Sequence, residues 1–149
     1  ARQVLDTLKE GKSYDVEIKE HREKRSLDAN AYFWVLVDRL AEKTGIPKTD
    51  IYRSYIREIG GNNETVCIPD KGVDKLRREW ERNGDGWQTS TMPSKLPGCT
   101  NVVLYYGSST YDTAQMSRLI DMAVQGCAEQ NIETLPPDKL AGMMEEWGR

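Results

Sequence analysis

Apolar side chains recur every three or four positions in successive stretches of the chain, and glycine or proline separates most of these stretches. This spacing puts the apolar residues on one face of an α-helix, which must then be buried against another element. The first series runs from Phe33 to Ala41 and stops at Gly45, a residue type that often follows the end of a helix. The sequence predicts helices over about 28–44, from Pro47 to Gly60, from Val73 to Arg82, from Met116 to Cys127 and from Pro136 to Trp147.

Two segments have the pattern of β-strands. In YDVEIKEHRE, residues 14–23, Tyr14, Val16 and Ile18 alternate with charged residues, which is typical of a strand with one face in water. NVVLYYGSSTY, residues 101–111, begins as a buried strand and ends in a polar turn. Residues 83–100 are rich in Gly, Ser, Thr and Pro and are expected to form a mobile loop with a short strand near Trp87.

The length of 149 residues suits one domain with its own core. We therefore expect a single domain over 1–149 with an α+β fold, mostly helical, and a small antiparallel or mixed sheet. The sequence has no run of ~18 apolar residues that could span a membrane. Its first residues, ARQVLDTLKEGKSY, lack the apolar core of a signal peptide, so a cytoplasmic location is expected. The three cysteines lack C-x-x-C spacing and are expected to be reduced thiols.

Basic residues are concentrated in two clusters, although the net charge of the chain is −3. A chain of this charge is not expected to hold duplex DNA by bulk charge alone, so a nucleic acid would bind along a local basic stripe. The clusters are Lys19, Arg22, Lys24 and Arg25, and then Lys75, Arg77, Arg78 and Arg82 on the third predicted helix. The alternative for the second cluster is a solvated helix face on which Arg78 and Arg82 pair with Asp74 and Glu79.

Few patterns in the sequence indicate catalysis. His21 is the only histidine, which excludes a two-histidine zinc site. The phosphate-binding pattern G-x-x-x-x-G-K-[ST] does not occur, and no cofactor is expected. Glu17-Ile18-Lys19 forms an E-x-K on the first predicted strand, and some nucleases use such carboxylates to hold Mg²⁺ while the lysine stabilises developing charge. A Mg²⁺-dependent nuclease using Glu17 and Lys19 therefore stays open as an alternative.

The segment RSLDANAYFW, residues 25–34, combines a basic residue, a helix start, an amide and three adjacent aromatic residues. On a helix, Tyr32, Phe33 and Trp34 spread over about 200°, so they cannot all enter one core. Those left outside can form a subunit contact or a platform on which bases stack. Asn30 lies one turn before Trp34, and with Arg25 it stands near a helix N-terminus, an arrangement suited to binding phosphate.

Arg25-Ser26-Leu27-Asp28, Asn30 and Trp34 together resemble the R-S-L-D-x-N-x-x-x-W motif of the NinB/Orf family of phage recombination proteins. The second half of the chain resembles that family in the order of its elements. An apolar strand at 102–104 is followed by the turn Ser108-Ser109-Thr110, a long helix and a closing Trp147. The resemblance covers roughly residues 14–148, except for residues 60–100, which are left unaligned.

This resemblance implies a non-enzymatic mediator of homologous recombination. From this resemblance we expect an intertwined homodimer that binds single-stranded DNA in the bacterial cytoplasm. We also expect it to engage the host single-strand-binding protein and to help load a recombinase. Stacking of bases on aromatic side chains, worth ~1–3 kcal/mol per base, would let a chain of modest charge hold a single strand.

Three interpretations therefore remain open: a single-strand DNA-binding mediator, a Mg²⁺-dependent nuclease and a protein-interaction factor that does not bind DNA. For the first interpretation, we expect DNA contacts from residues of the basic clusters, the helix-start motif and the polar turn. They are Arg22, Lys24, Arg25, Asn30, Lys75, Arg77, Arg78, Arg82, Ser108, Ser109 and Thr110.

We predict that the protein is a homodimer. Tyr32, Phe33 and Trp34, with two apolar C-terminal helices, offer more apolar surface than a chain of this length easily buries. The subunit interface should exceed ~1,000 Å². Light scattering at micromolar concentration should give twice the mass of one chain, and a mass equal to one chain would contradict the prediction.

Overall fold

The computed structural model describes Ser13 and residues 27–147, and over this range it contains five α-helices and a three-stranded antiparallel sheet. The elements are α1 (Leu27–Thr44), α2 (Lys48–Glu58), β1 (Asn63–Pro69), α3 (Val73–Glu81), β2 (Thr89–Pro93), β3 (Cys99–Tyr105), α4 (Thr113–Glu129) and α5 (Pro137–Trp147). Short 3₁₀ turns at Asp70–Gly72 and Ser108–Thr110 precede α3 and α4. The predicted fold class, α+β and mostly helical with a small sheet, is confirmed.

The main core lies between the helices, where α1 packs against α2, α4 and α5. Phe33 and Leu36 of α1, Ile56 of α2 and Leu119 of α4 are fully buried there. Asp112 fixes the start of α4 through a capping box: its side chain accepts from the Gln115 N–H, while the Gln115 side chain accepts from the Asp112 N–H. The helical periodicity of the sequence therefore identifies the faces that form this core.

A second, smaller core lies between the sheet and α3. The strand order is β1-β3-β2, so β3 is the central strand and pairs with both neighbours. Its residues Val102 and Leu104 are buried against Val73 of α3, with Leu76 and Trp80 of the same helix packed around them. The short amphipathic helix predicted after Val73 thus covers one face of the sheet.

Two parts of the sheet differ from the sequence-based expectation. No element is predicted at residues 63–69, where β1 forms, because this edge strand turns only Val66 and Ile68 toward α3. The segment 83–100, expected to be a loop with a short strand near Trp87, contains β2, which begins at Thr89 and pairs with β3. The predicted strand at 14–23 lies outside the described residues.

The aromatic residues of α1 separate as the helical geometry predicts. Phe33 is fully buried, whereas Tyr32 and Trp34 are half-buried and pack against the edge of the helical core. Trp34 keeps part of its indole at the surface near the start of α1. This surface forms part of the candidate functional site.

None of the helices in the described part of the chain is both long and apolar enough to cross a membrane.

Candidate functional site

An open cleft of about 320 Å³ lies where the start of α1, the loop after α3 and the turn after β3 meet. Because tryptophans from two of these segments line it, we call it the indole cleft. Its lining residues are Asn30, Trp34, Tyr52, Asn83, Gly84, Asp85, Gly86, Trp87, Ser108 and Ser109. Residues from the motif at 25–34 and from the turn at 108–110, separated by more than seventy positions in the chain, therefore line one cleft.

Helix α1 contributes Asn30 and Trp34 to the cleft. These residues are four positions apart and so lie one above the other on the same face of the helix. The Trp34 ring packs against the Tyr52 ring at 5.0 Å between centroids and against the Phe33 ring at 5.5 Å. Both contacts fix the orientation of the indole and leave it half-buried, with the Asn30 amide one turn away.

The turn after β3 is held by Tyr52 of α2. The Ser108 N–H donates to the Tyr52 hydroxyl at 3.1 Å, and the Tyr52 and Ser108 hydroxyls are hydrogen-bonded at 2.7 Å. Ser108 is buried, whereas Ser109 and Thr110 are exposed. The Thr110 hydroxyl donates to the Gly107 carbonyl oxygen at 2.9 Å. Ser108 therefore positions the turn, and Ser109 is the serine at the cleft whose side chain is accessible.

The loop after α3 approaches the same tyrosine. A Cβ atom on Gly86 would lie 2.6 Å from the Tyr52 hydroxyl oxygen, so only glycine lets the loop backbone come this close. Arg53 donates to the Asp85 carbonyl oxygen at 2.9 Å and ties the loop to α2. The position of Asp85 at the cleft is thus fixed through its main chain.

Trp87 closes the other side of the cleft and belongs to a second aromatic cluster. Its ring lies 5.2 Å from that of Trp80 and 5.6 Å from that of Tyr106, both edge to face. A Cβ atom on Gly107 would lie 2.6 Å from the indole nitrogen, so the glycine makes room for this ring. Trp87 is half-buried, as Trp34 is.

The basic residues of α3 lie outside the indole cleft. Arg77 and Arg78 line a separate pocket together with Asp74 and Glu81. Arg77 is half-buried and its Nε donates to the Thr89 hydroxyl at 2.9 Å, while that hydroxyl donates to the Glu81 carboxylate at 2.6 Å. Nearby acidic groups therefore offset part of the positive charge of this pocket.

The other basic side chains of α3 are exposed to solvent. Lys75, Arg78 and Arg82 are exposed, and Arg82 forms an ion pair with Glu79 at 3.5 Å. The pairing of Arg82 with Glu79, one half of the solvated-face alternative, is thus present. Arg22, Lys24 and Arg25 lie outside the described residues, as do Glu17, Lys19 and His21.

Among the described residues that line the indole cleft, Asp85 is the only charged one. The remaining polar groups are the amides of Asn30 and Asn83, the hydroxyls of Tyr52 and the two serines, and the indole N–H groups. A lining of this kind offers stacking surfaces and hydrogen-bonding groups but no cation for a phosphate. It suits a flat, neutral, polar ring better than an anion.

The sequence analysis did not identify Tyr52, Asp85 and Trp87 as site residues. Tyr52 lies four positions before Ile56, at helical spacing, so its burial could have been predicted from the sequence. Its hydrogen bond to Ser108 joins positions 56 residues apart, and no local pattern indicates such a contact. In the sequence, the Asn83-Gly84-Asp85-Gly86 run indicates only the start of the loop predicted at 83–100, although Gly86 and Trp87 make close contacts at the cleft.

Among the described residues, no group of three or more His, Cys, Asp or Glu side chains is placed so that it could hold a metal ion. No family model, curated protein or solved structure matches the chain.

We predict that Tyr52→Phe destabilises the protein by about 1–3 kcal/mol, because it leaves the buried Ser108 hydroxyl and N–H without their partner. The ring and its packing against Trp34 are retained. Urea unfolding followed by circular dichroism measures the change. Tyr55→Phe, at a half-buried tyrosine on the same helix, is the control and should stay within about 0.5 kcal/mol of the parent. An equally small effect of both substitutions would contradict the role given to Tyr52.

Proposed function

We propose that this protein binds single-stranded DNA without cleaving it and acts as a recombination mediator of the phage type. The observation that carries the proposal is the indole cleft, because it joins Asn30 and Trp34 of the R-S-L-D-x-N-x-x-x-W motif to Ser108 and Ser109 of the turn after β3. Two parts of the chain that carry the resemblance to the family lie far apart in sequence and share one surface. A shared ligand explains this arrangement better than folding alone does.

The mode of binding follows from the chemistry of the cleft. Two half-buried indoles, Trp34 and Trp87, offer faces on which unstacked bases can pack, and such stacking is worth ~1–3 kcal/mol per base. Bases in a duplex are already stacked and paired, so this surface favours single strands. The exposed cations Lys75 and Arg78 of α3, and Arg82 directly after it, lie next in sequence to the loop that lines the cleft and would contact the phosphates outside it.

The biological role rests on the resemblance to the NinB/Orf family. It implies a homodimer in the bacterial cytoplasm that acts on strands covered by the host single-strand-binding protein and helps a recombinase to load there. In this role the protein needs no catalytic group and no cofactor. Weak, stacking-based binding also suits a mediator, because the strand must pass on to the recombinase.

We predict that Trp34→Ala weakens binding of single-stranded DNA by about 5- to 150-fold, through loss of stacking. The slope of log affinity against log salt should stay the same, since no ionic contact is removed. Fluorescence anisotropy with a labelled oligonucleotide of about 16 nucleotides measures both quantities. Val35→Ala, at the exposed neighbouring position on α1, should bind as the parent does.

Arg78→Ala provides the complementary variant, with an expected decrease of ~0.7 in the salt slope if Arg78 contacts a phosphate. Circular dichroism of each variant confirms that it is folded. Unchanged affinity of a folded Trp34→Ala protein would refute the role of the cleft. Cleavage of the oligonucleotide in Mg²⁺ would instead support the nuclease alternative, and absence of binding at low salt the protein-interaction factor.

A further inference from the structure

The charge of the indole cleft indicates which part of a nucleotide it takes. No lysine or arginine is among the described residues that line it, and its one charged side chain, Asp85, is negative. A phosphate that entered the cleft would be repelled by this carboxylate. A neutral base does not meet this obstacle.

The hydrogen-bonding groups of the cleft narrow the choice of base. The Asp85 carboxylate can only accept hydrogen bonds, and the main chain that carries it is held at the cleft because Arg53 donates to the Asp85 carbonyl oxygen at 2.9 Å. The Asn83 amide nitrogen donates to the Trp80 carbonyl oxygen, and the Ser108 hydroxyl is paired with Tyr52. The cleft side chain that most strongly selects for a hydrogen-bond donor is therefore the exposed Asp85 carboxylate.

We propose that the indole cleft binds one unstacked base of a single strand and prefers a base with an exocyclic amino group over thymine. This inference rests on the proposed function and specifies the ligand of its site. Cytosine, adenine and guanine each carry an amino group that can donate to the Asp85 carboxylate. Thymine has one donor at the corresponding edge, its N3–H, which stands between two carbonyl oxygens that repel a carboxylate.

The size and shape of the cleft agree with a single base. Its volume of about 320 Å³ lies at the lower end of the range of small-molecule pockets, ~300–1,000 Å³. Trp34 supplies an indole face, and Asn30, one turn away on the same face of α1, supplies an amide that can both donate and accept. The base would stack on the indole while its edge meets the amide and the carboxylate.

The test compares two homopolymers that carry the same methyl group, oligo-thymidine and oligo-5-methyldeoxycytidine, each of about 16 nucleotides. At neutral pH the parent protein should bind the 5-methylcytosine strand at least about fivefold more tightly in an anisotropy assay. Asp85→Asn should abolish this difference, because an amide can donate to the thymine carbonyl. Asp121→Asn, at an exposed aspartate of α4 that does not line the cleft, removes the same charge and should retain it.

The outcomes separate this inference from the function on which it rests. Equal binding of both strands, still weakened by Trp34→Ala, would overturn the base preference and leave single-strand binding intact. Binding of neither strand at low salt would overturn both. A preference for the 5-methylcytosine strand that persists in Asp85→Asn would show that this carboxylate does not recognise the exocyclic amino group. Free deoxycytidine should fail to displace the strand at an equal concentration of bases, and displacement would overturn the assignment to a base within a strand.

Discussion

The buried hydroxyl of Tyr52 connects α2 to the turn that follows β3. It accepts a hydrogen bond from the Ser108 N–H and shares another with the Ser108 hydroxyl, while the Tyr52 ring packs within the helical core. The buried Gln88 makes a second connection: its side-chain amide donates to the Arg53 carbonyl oxygen and accepts from the Arg57 guanidinium. Because the Tyr52, Ser108 and Gln88 side chains are buried, losing their hydrogen-bond partners is costly. Helix α2 therefore fixes the helical core and the sheet in one relative position.

The indole cleft is a consequence of this arrangement. The Tyr52 ring packs against the Trp34 ring. Because Gly86 has no side chain, the loop backbone can also lie close to the Tyr52 hydroxyl. The segment 83–87 then runs past the start of α1, where it brings Asp85 and Trp87 opposite Asn30. The resulting surface has two indoles, amides and one carboxylate. Its chemistry favours stacking and recognition of a base edge, with phosphate contacts left to the exposed side chains of α3.

Much of the fold could be predicted from the sequence because helical periodicity reports burial directly. The series from Phe33 to Ala41 and from Met116 to Cys127 both mark helices whose apolar faces form the main core. Strand β1 could not be predicted in this way, since an edge strand with one covered face shows only the two apolar residues Val66 and Ile68. Strand β2 could not be predicted because its segment is rich in turn-forming residues. Its extended conformation is stabilised by pairing with β3, which no local pattern indicates.

The candidate site was only partly predictable for the same physical reason. Asn30 and Trp34 form a local helical pair, so their proximity follows from sequence spacing, as does the turn at Ser108. Asp85 and Trp87 reach the cleft through long-range hydrogen bonds and close glycine contacts that leave no local pattern. A simple count of charges also overestimates how many arginines in α3 and directly after it are available to bind a phosphate. Arg77 is bound to Thr89, and Arg82 is paired with Glu79.

Photocrosslinking tests most directly whether the indole cleft holds the strand. A single-stranded oligonucleotide carrying 5-iododeoxycytidine keeps the exocyclic amino group and reacts on irradiation with an aromatic ring in contact with the base. Mass spectrometry of the digested complex then identifies the modified residue. We predict adducts on Trp34 or Trp87, the two indoles that line the cleft. Adducts confined to residues outside the cleft, on a protein that retains the strand, would contradict this account.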